Sequence, residues 1–199
     1  ALKNTLDFYV SIILPDGNVP TNVAGTCSQH YGTDPDARVQ WCHGAPGFMT
    51  VFLEGALYFQ NYNGTAAESY LTAALRTSNS TYDRGLLVKG TMFCHGIGGN
   101  INMFVEFYDL LGKIQTINNL DTFKDYDLPF LQKQSAFRAK QFILWTLNKD
   151  NIDSTRINDT NENYSMYQGN HAIPMVYIQA LQDNWPNIRP GQPGWNFVI

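Results

Sequence analysis

Apolar residues recur along the chain with helical spacing, in blocks that alternate in character. The first block places its apolar side chains on one helix face: Leu2, Leu6, Phe8, Tyr9, Ile12 and Ile13. Two later blocks, residues 48–59 and 101–111, are apolar on more than one face, which is typical of an inner layer of helices. Residues 66–76 and 130–147 are more amphipathic, with Phe137, Ile143 and Leu144 alternating with Arg138, Lys140 and Gln141, and they predict outer helices with one wet side.

A glycine-rich motif stands in front of each inner block. Residues 41–47 are Trp-Cys-His-Gly-Ala-Pro-Gly, and residues 93–99 are Phe-Cys-His-Gly-Ile-Gly-Gly. A weaker third copy, residues 167–172, precedes the apolar residues 173–181. Glycine permits close approach of two backbones, so each unit predicts a tight loop leading into a buried helix. The pattern predicts three stacked helical hairpins with their loops on a common rim.

The organisation along the chain indicates one all-α domain over residues 1–199. A leading helix and loop occupy residues 1–40, and the hairpins with their glycine motifs occupy residues 41–184. Residues 185–199 form a tail rich in Pro, Gly and Trp, which does not favour a helix. Polar loops are predicted between the hairpins, including residues 113–129.

Composition and charge narrow the class of protein. Hydrophobic residues make up 44% of the chain and charged residues 15%, which excludes a disordered chain. The net charge of -4, with no basic run, argues against nucleic-acid binding. No apolar run approaches the length that spans a bilayer. The chain begins without Met and in the middle of a helical pattern, so we expect its start to have been cut, and no signal peptide is visible.

The cysteines suggest a metal site. Three is an odd number that argues against a disulfide framework and favours a reducing compartment, which points to the cytoplasm. Cys42 and the pair Cys94 and His95 stand at equivalent places of two repeats, and thiolate with imidazole is the ligand set that Zn²⁺ prefers. Three protein ligands leave a fourth position open, which is the pattern of a catalytic zinc. The alternative is that each cysteine is a small buried hydrophobe.

The sequence does not decide the roles of two further residues. Cys27 and His30 form a Cys-x-x-His pair in a loop, and they supply either a fourth ligand, a second site or plain loop residues. Other catalytic motifs are missing, because the sequence contains no P-loop, no G-x-S-x-G and no H-E-x-x-H.

Two long motifs carry a family resemblance. Residues 41–47, and residues 85–90 running on to 94–100, resemble the two zinc motifs of the LanC-like proteins, relatives of the bacterial lanthionine cyclases. Residues 14–18, Leu-Pro-Asp-Gly-Asn, resemble the region before the first motif. The resemblance implies an α/α toroid of seven helical hairpins, of which this chain supplies about the last three, so it corresponds to the C-terminal half of a LanC-like domain.

The same resemblance implies site residues and a chemistry. Cys42, Cys94 and His95 match the zinc ligands, His43 follows the eukaryotic version of the motif, and Arg38 matches an active-site arginine of the cyclases. Family chemistry is addition of a thiol, from glutathione or a peptide cysteine, to a dehydroamino acid in a dehydrated peptide. His43 is then either an acid or a neighbour that supports a ligand. His171 either faces the site or has a structural role.

Two hypotheses from different classes remain. The first is a zinc-dependent, thioether-forming transferase that is completed by a missing N-terminal half, since the family's acid/base histidine lies in earlier hairpins. The second is a non-catalytic, zinc-stapled interaction or structural subunit of a larger assembly, since an open partial toroid would expose apolar inner helices. A remoter third is a carbohydrate-binding toroid, suggested by the four tryptophans, although no paired carboxylates in the rim loops support glycoside hydrolysis.

Overall fold

A computed structural model describes residues 1–22, 34–87, 89–117, 120–148 and 151 of the chain. Within these ranges the protein is helical, and the all-α prediction is confirmed. The helices are α1 (Leu2–Ser11), α2 (Ala45–Phe59), α3 (Gly64–Arg84), α4 (Ile97–Thr116) and α5 (Leu128–Leu147), with a short 3-10 helix at Leu120–Phe123. The third glycine motif and the predicted tail lie outside the described residues.

The helices form two hairpins whose inner members touch. Helix α2 packs along α3, α4 packs along α5, and the inner helices α2 and α4 pack against each other. Helix α4 is buried on several faces, as its apolar pattern predicts, with Ile97, Ile101, Phe104 and Leu111 inaccessible to solvent. It also runs on to Thr116, into a stretch that the sequence predicts as loop. None of the helices described is long and apolar enough to cross a membrane.

Each inner helix begins in the same way relative to its cysteine. Helix α2 starts at Ala45 and α4 at Ile97, in both cases three residues after the cysteine. The glycines five residues after the cysteines, Gly47 and Gly99, lie against backbone: a Cβ would collide with the carbonyl oxygen of Trp41 at the first and of Phe93 at the second. Trp41 and Phe93 are also equivalent in the two repeats. Glycine is therefore required at both positions for one physical reason, which supports the predicted repeat.

Helix α5 buries only part of the face that its apolar residues suggest, since Ile143 is 5% exposed as expected but two of the other apolar side chains are not buried. Phe137 and Leu144 are 54% and 59% exposed, whereas Arg138 is only 9% exposed. The Arg138 guanidinium donates to Ser78 Oγ at 2.9 Å and lies 5.0 Å from the centre of the Tyr82 ring. Because α3 offers these partners, the buried arginine is hydrogen-bonded and its burial is tolerated.

Candidate metal centre

The two Cys-His motifs meet at one end of the inner helices. Cys42 and His43 lie in a tight turn, in which Gln40 and His43 exchange backbone hydrogen bonds of 3.0 Å, immediately before α2. Cys94 and His95 lie in the equivalent turn before α4. The Cys42 N–H donates to the Cys94 carbonyl oxygen at 3.2 Å, so the two turns are joined directly. Packing of α2 on α4 thus brings residues that are distant in sequence to one place.

A cluster of three donor side chains results. One ligand atom from each of Cys42, Cys94 and His95 lies within 4.8 Å of the others, and all three residues are partly exposed. These residues could hold a metal ion. Two sulfurs and one imidazole form a soft N/S donor set that suits zinc better than magnesium or calcium. Cys27, His30 and His171, the other residues considered from sequence, lie outside the described residues.

The electrostatics of the cluster fit a cation. Burial lowers the pKa of His95, and the charges of Lys89 and Arg38 lower it further, so the imidazole is neutral and can coordinate. Burial raises the pKa of Cys94 to about 12, and the adjacent Cys42 adds to this effect through a hydrogen bond and its charge. The two sulfurs therefore do not both ionise unless a positive charge lies between them.

His43 lies against one of the sulfurs. Its Nδ1 is 3.2 Å from Cys42 Sγ. Burial lowers the pKa of His43, and the charges of Arg38, Lys89 and His95 lower it further. The ring is therefore neutral near neutral pH and can accept a proton. Arg38 acts on both imidazoles through its charge, so the two residues predicted to be catalytic lie in the electrostatic surroundings of the cluster.

A buried asparagine that the sequence suggests only as a turn residue holds the Cys42 turn. Asn18 is 0% exposed. Its Oδ1 accepts from the Ala45 N–H at 2.7 Å, and its Nδ2 donates to the Arg38 carbonyl at 3.0 Å and to Asp36 Oδ1 at 2.8 Å. Asn18 therefore caps the start of α2 and fixes both sides of the ligand-bearing turn.

A second buried asparagine holds the same turn from the neighbouring helix. Asn100 of α4 is 0% exposed, and its Nδ2 donates to the carbonyls of Val39 at 3.0 Å and Gly85 at 2.9 Å. Since the Asn100 bonds join α4 to the segment before Cys42, they fix the two ligand-bearing loops relative to each other. Nothing in the local pattern around residue 100 signals this role.

Gln40 and Lys89 extend the cluster outwards. Gln40 Nε2 donates to Cys42 Sγ at 3.3 Å, and Lys89 Nζ donates to Gln40 Oε1 at 2.8 Å. Gln40 is 4% exposed. The sequence pattern singles out neither residue, although Gln40 stands two positions before a predicted ligand and Lys89 lies inside the second motif.

A small cavity opens beside the cluster. It has a volume of about 90 Å³ and is lined by Trp41, Cys42, His43, Gly44, Gly47, Phe48 and Val51. One ligand sulfur and one imidazole therefore face a mostly apolar space of the size of a small side chain. A larger cavity of about 550 Å³ lies between α1, α2 and α4, and none of the three donor residues lines it.

Comparisons with known proteins agree with these motifs. Residues 1–188 match the family model described as lanthionine synthetase C-like protein. A curated relative from Danio rerio, named Glutathione S-transferase LANCL1, is 29% identical over 109 residues. That match covers 55% of this chain but 24% of the relative, so the matching part spans about a quarter of the relative's length.

Proposed function

Since this chain belongs to the lanthionine synthetase C-like family, we propose that it binds zinc through Cys42, Cys94 and His95 and adds a thiol to a dehydroamino acid in a peptide. The observation that carries the proposal is the placement of these three donors within 4.8 Å of one another, partly open to solvent. Three ligands leave one coordination position for a substrate thiol. Zinc, when bound, would stabilise the thiolate form of that thiol near neutral pH.

Among the described residues, His43 is the one that we propose to move the proton. Its imidazole is neutral near neutral pH and lies beside the cluster. In the proposed reaction, His43 takes the proton from the incoming S–H group and the sulfur forms a bond to Cβ of the dehydroamino acid. The Cα–Cβ double bond becomes single, and the protonated imidazole returns the proton to Cα. One S–H bond is exchanged for one C–S and one C–H bond, so no oxidant or reductant is needed.

The cavity of about 90 Å³ is the proposed place for the unsaturated side chain. Its lining includes both Cys42 and His43, so an alkene there would lie beside the nucleophile and the proton carrier. Arg38 is proposed to stabilise the negative charge that develops on the substrate as the enolate forms, because its positive charge already acts on His43 and His95.

The thiol is proposed to be glutathione or a peptide cysteine, and the second substrate a dehydrated peptide. Glutathione as the thiol is supported by the name of the Danio rerio relative, which describes the activity of that relative. We further propose that residues 1–199 form the C-terminal half of one LanC-like toroid, whose earlier hairpins supply the rest of the substrate site. A cytoplasmic location, which keeps thiols reduced, suits this chemistry.

Metal content tests the first part of the proposal. The protein, refolded with zinc under reducing conditions and desalted, should retain one zinc per chain by elemental analysis. Cys94→Ala should lose it, because the removed sulfur is one of three ligands. Cys27→Ala is the matched control and should keep it. Zinc retained by Cys94→Ala, or lost by Cys27→Ala, would contradict the assigned ligand set.

Product analysis tests the chemistry. Protein, glutathione and a peptide containing dehydroalanine should give a peptide whose mass has increased by one glutathione, faster than the uncatalysed reaction. The reaction rates of Cys94→Ala and His43→Gln should both be close to the uncatalysed rate. His43→Gln should nevertheless keep its zinc. A zinc-loaded protein that contains the earlier hairpins as well as these residues and shows no rate above background would exclude catalysis at this site and favour the second hypothesis.

That second hypothesis, a non-catalytic zinc-stapled subunit, is favoured by one feature of α5. Phe130, Phe137 and Leu144 recur every seven residues along the helix and are 56%, 54% and 59% exposed. An exposed apolar stripe of this kind is typical of a surface that meets another protein. Light scattering after size-exclusion chromatography gives the oligomeric state and so tests this hypothesis. A stable monomer that performs thiol addition would exclude the purely structural role.

A further inference from the structure

A buried amide lies between a cation and one of the proposed ligands. Gln40 is 4% exposed and stands between Lys89, whose Nζ is 2.8 Å from Gln40 Oε1, and Cys42, whose Sγ is 3.3 Å from Gln40 Nε2. The three side chains thus form a short hydrogen-bonded chain that ends on the sulfur.

The identity of the neighbours determines which way the amide faces. The ammonium of Lys89 has three donors and no acceptor, so only the amide oxygen of Gln40 can face it. The amide nitrogen must then face Cys42, and the sulfur must be the acceptor.

The surroundings favour this bond. Water has little access to Gln40, so it does not compete strongly for the amide, and a hydrogen bond is stronger where the local dielectric is low. The charge of Lys89 on the amide oxygen polarises the N–H groups at the other end. A donor held in this way fixes the place of the Cys42 sulfur relative to the other two donors, as groups that orient metal ligands do.

We propose that Gln40 is a positioning residue of the metal site: oriented by Lys89, it donates to Cys42 Sγ and holds that sulfur in the position from which it ligates a metal. The proposal rests on the zinc site of the proposed function and adds two residues to it. Outer groups that orient metal ligands typically change metal affinity by about 10- to 100-fold when they are mutated. We expect an effect of that size here.

The experiment measures metal binding, independently of activity. Zinc affinity is measured by competition with a chromophoric chelator, and Co²⁺ loading gives the sulfur-to-cobalt charge-transfer band. Gln40→Leu should weaken zinc binding by about 10- to 100-fold and move the band to longer wavelength, because an unsolvated sulfur gives up its electron more readily. Gln40→Glu keeps the length and the Lys89 partner but offers an acceptor to the sulfur, so it should be no better than Gln40→Leu.

A matched control is available at the other end of α2. Gln60 is also buried, and its Nε2 donates to the Leu57 carbonyl at 3.1 Å, far from the cluster in sequence. Gln60→Leu removes a buried amide of the same size. It should change the stability of the fold without changing zinc affinity or the position of the cobalt band.

The role of Lys89 is tested by a double-mutant cycle. If Lys89 acts by orienting Gln40, Lys89→Met weakens zinc binding in the wild-type background and has no further effect in the Gln40→Leu background. If Lys89 instead acts on the metal site directly through its charge, the losses of zinc affinity in the two single variants add in the double variant. The proposal that Lys89 acts through Gln40 would then be wrong. Lys89→Met and Gln40→Glu also keep the test decisive if Gln40→Leu fails to fold.

The outcomes separate this inference from the function on which it rests. Wild-type zinc affinity and an unshifted cobalt band in both Gln40 variants would overturn the inference and leave the zinc site intact. A wild-type protein that binds neither zinc nor cobalt would overturn the zinc site, and this inference with it. Weaker binding and a shifted band in the Gln40 variants, with Gln60→Leu unchanged in both, would support it.

Discussion

Replacement of Asn18 by alanine should destabilise the protein far more than replacement of a solvent-facing asparagine that caps a helix. Asn18 is fully buried, and its amide joins the Ala45 N–H, the Arg38 carbonyl and Asp36. In Asn18→Ala the first two backbone groups lose their partner inside the protein. An unsatisfied buried donor or acceptor costs about 1–3 kcal/mol, so a loss of about 2–6 kcal/mol is expected for the pair.

Asn63 provides the matched comparison. It is exposed and stands at the N-cap of α3, where its Oδ1 accepts one hydrogen bond, of 3.0 Å, from the Ala66 N–H. Because Asn63 itself is exposed, water can reach the place of its side chain in Asn63→Ala and replace the lost bond in part. Removal of such a cap costs typically about 1 kcal/mol. The two variants delete the same amide and differ in burial and in the number of partners.

Urea unfolding of the metal-free proteins, followed by far-UV circular dichroism under reducing conditions, gives the two free energies of unfolding. The slope with urea should be unchanged, because neither variant alters the size of the buried surface much. Asn18→Ala should also bind zinc more weakly than wild type, since its bonds fix the backbone on both sides of Cys42, while Asn63→Ala should bind as wild type. Equal losses of stability in the two variants would refute the argument from burial.

Two further predictions concern the inner helices. Gly99→Ala should strongly destabilise the protein in thermal unfolding, since its Cβ would collide with the Phe93 carbonyl. Gly112→Ala should cost much less, because its Cβ meets the amide end of the Gln132 side chain rather than backbone, and the higher helix propensity of alanine offsets part of the strain on the hydrogen bonds of that amide. Burial and the charge of Glu54 raise the pKa of Glu106 above its ordinary value of 4.5, so its contribution to stability is present at low pH and lost as the pH rises through the folded-state pKa. Glu106→Gln should therefore raise the melting temperature near neutral pH and lose this advantage below the ordinary carboxyl pKa, and a constant difference across the pH range would contradict it.

The features that the sequence predicts well are those encoded by local spacing. The apolar pattern predicts which helices are inner, and α2 and α4 are the inner helices of the two described hairpins. The glycine motif predicts close backbone contact, which occurs at Gly47 and Gly99. The repeat also predicts that Cys42, Cys94 and His95 lie together, because equivalent turns of adjacent hairpins meet at one end, and their donor atoms lie within 4.8 Å.

The features that the sequence predicts poorly depend on partners that are distant along the chain. Arg138 has the charge of a surface residue, and its partners on α3, Ser78, Asn79 and Tyr82, make its burial favourable. Asn18 lies in a segment whose sequence is typical of a surface turn, yet it caps a helix that begins at Ala45. In each case the side chain is polar and its environment is set by the tertiary fold, so hydropathy along the sequence assigns it to the wrong surroundings.

The arrangement of the cluster would couple the binding of a metal to the packing of the hairpins. The turn before α2 supplies one sulfur, and the turn before α4 supplies one sulfur and one imidazole. Neither turn alone holds three donors, and the contacts that bring them together are the Cys42–Cys94 backbone bond and the bonds from Asn100 to Val39 and Gly85. Because the unfolded chain has no preformed site, the free energy of metal binding adds to the stability of the α2–α4 contact. A metal at this position would act as a cross-link between hairpins, whichever of the two proposed functions the chain performs.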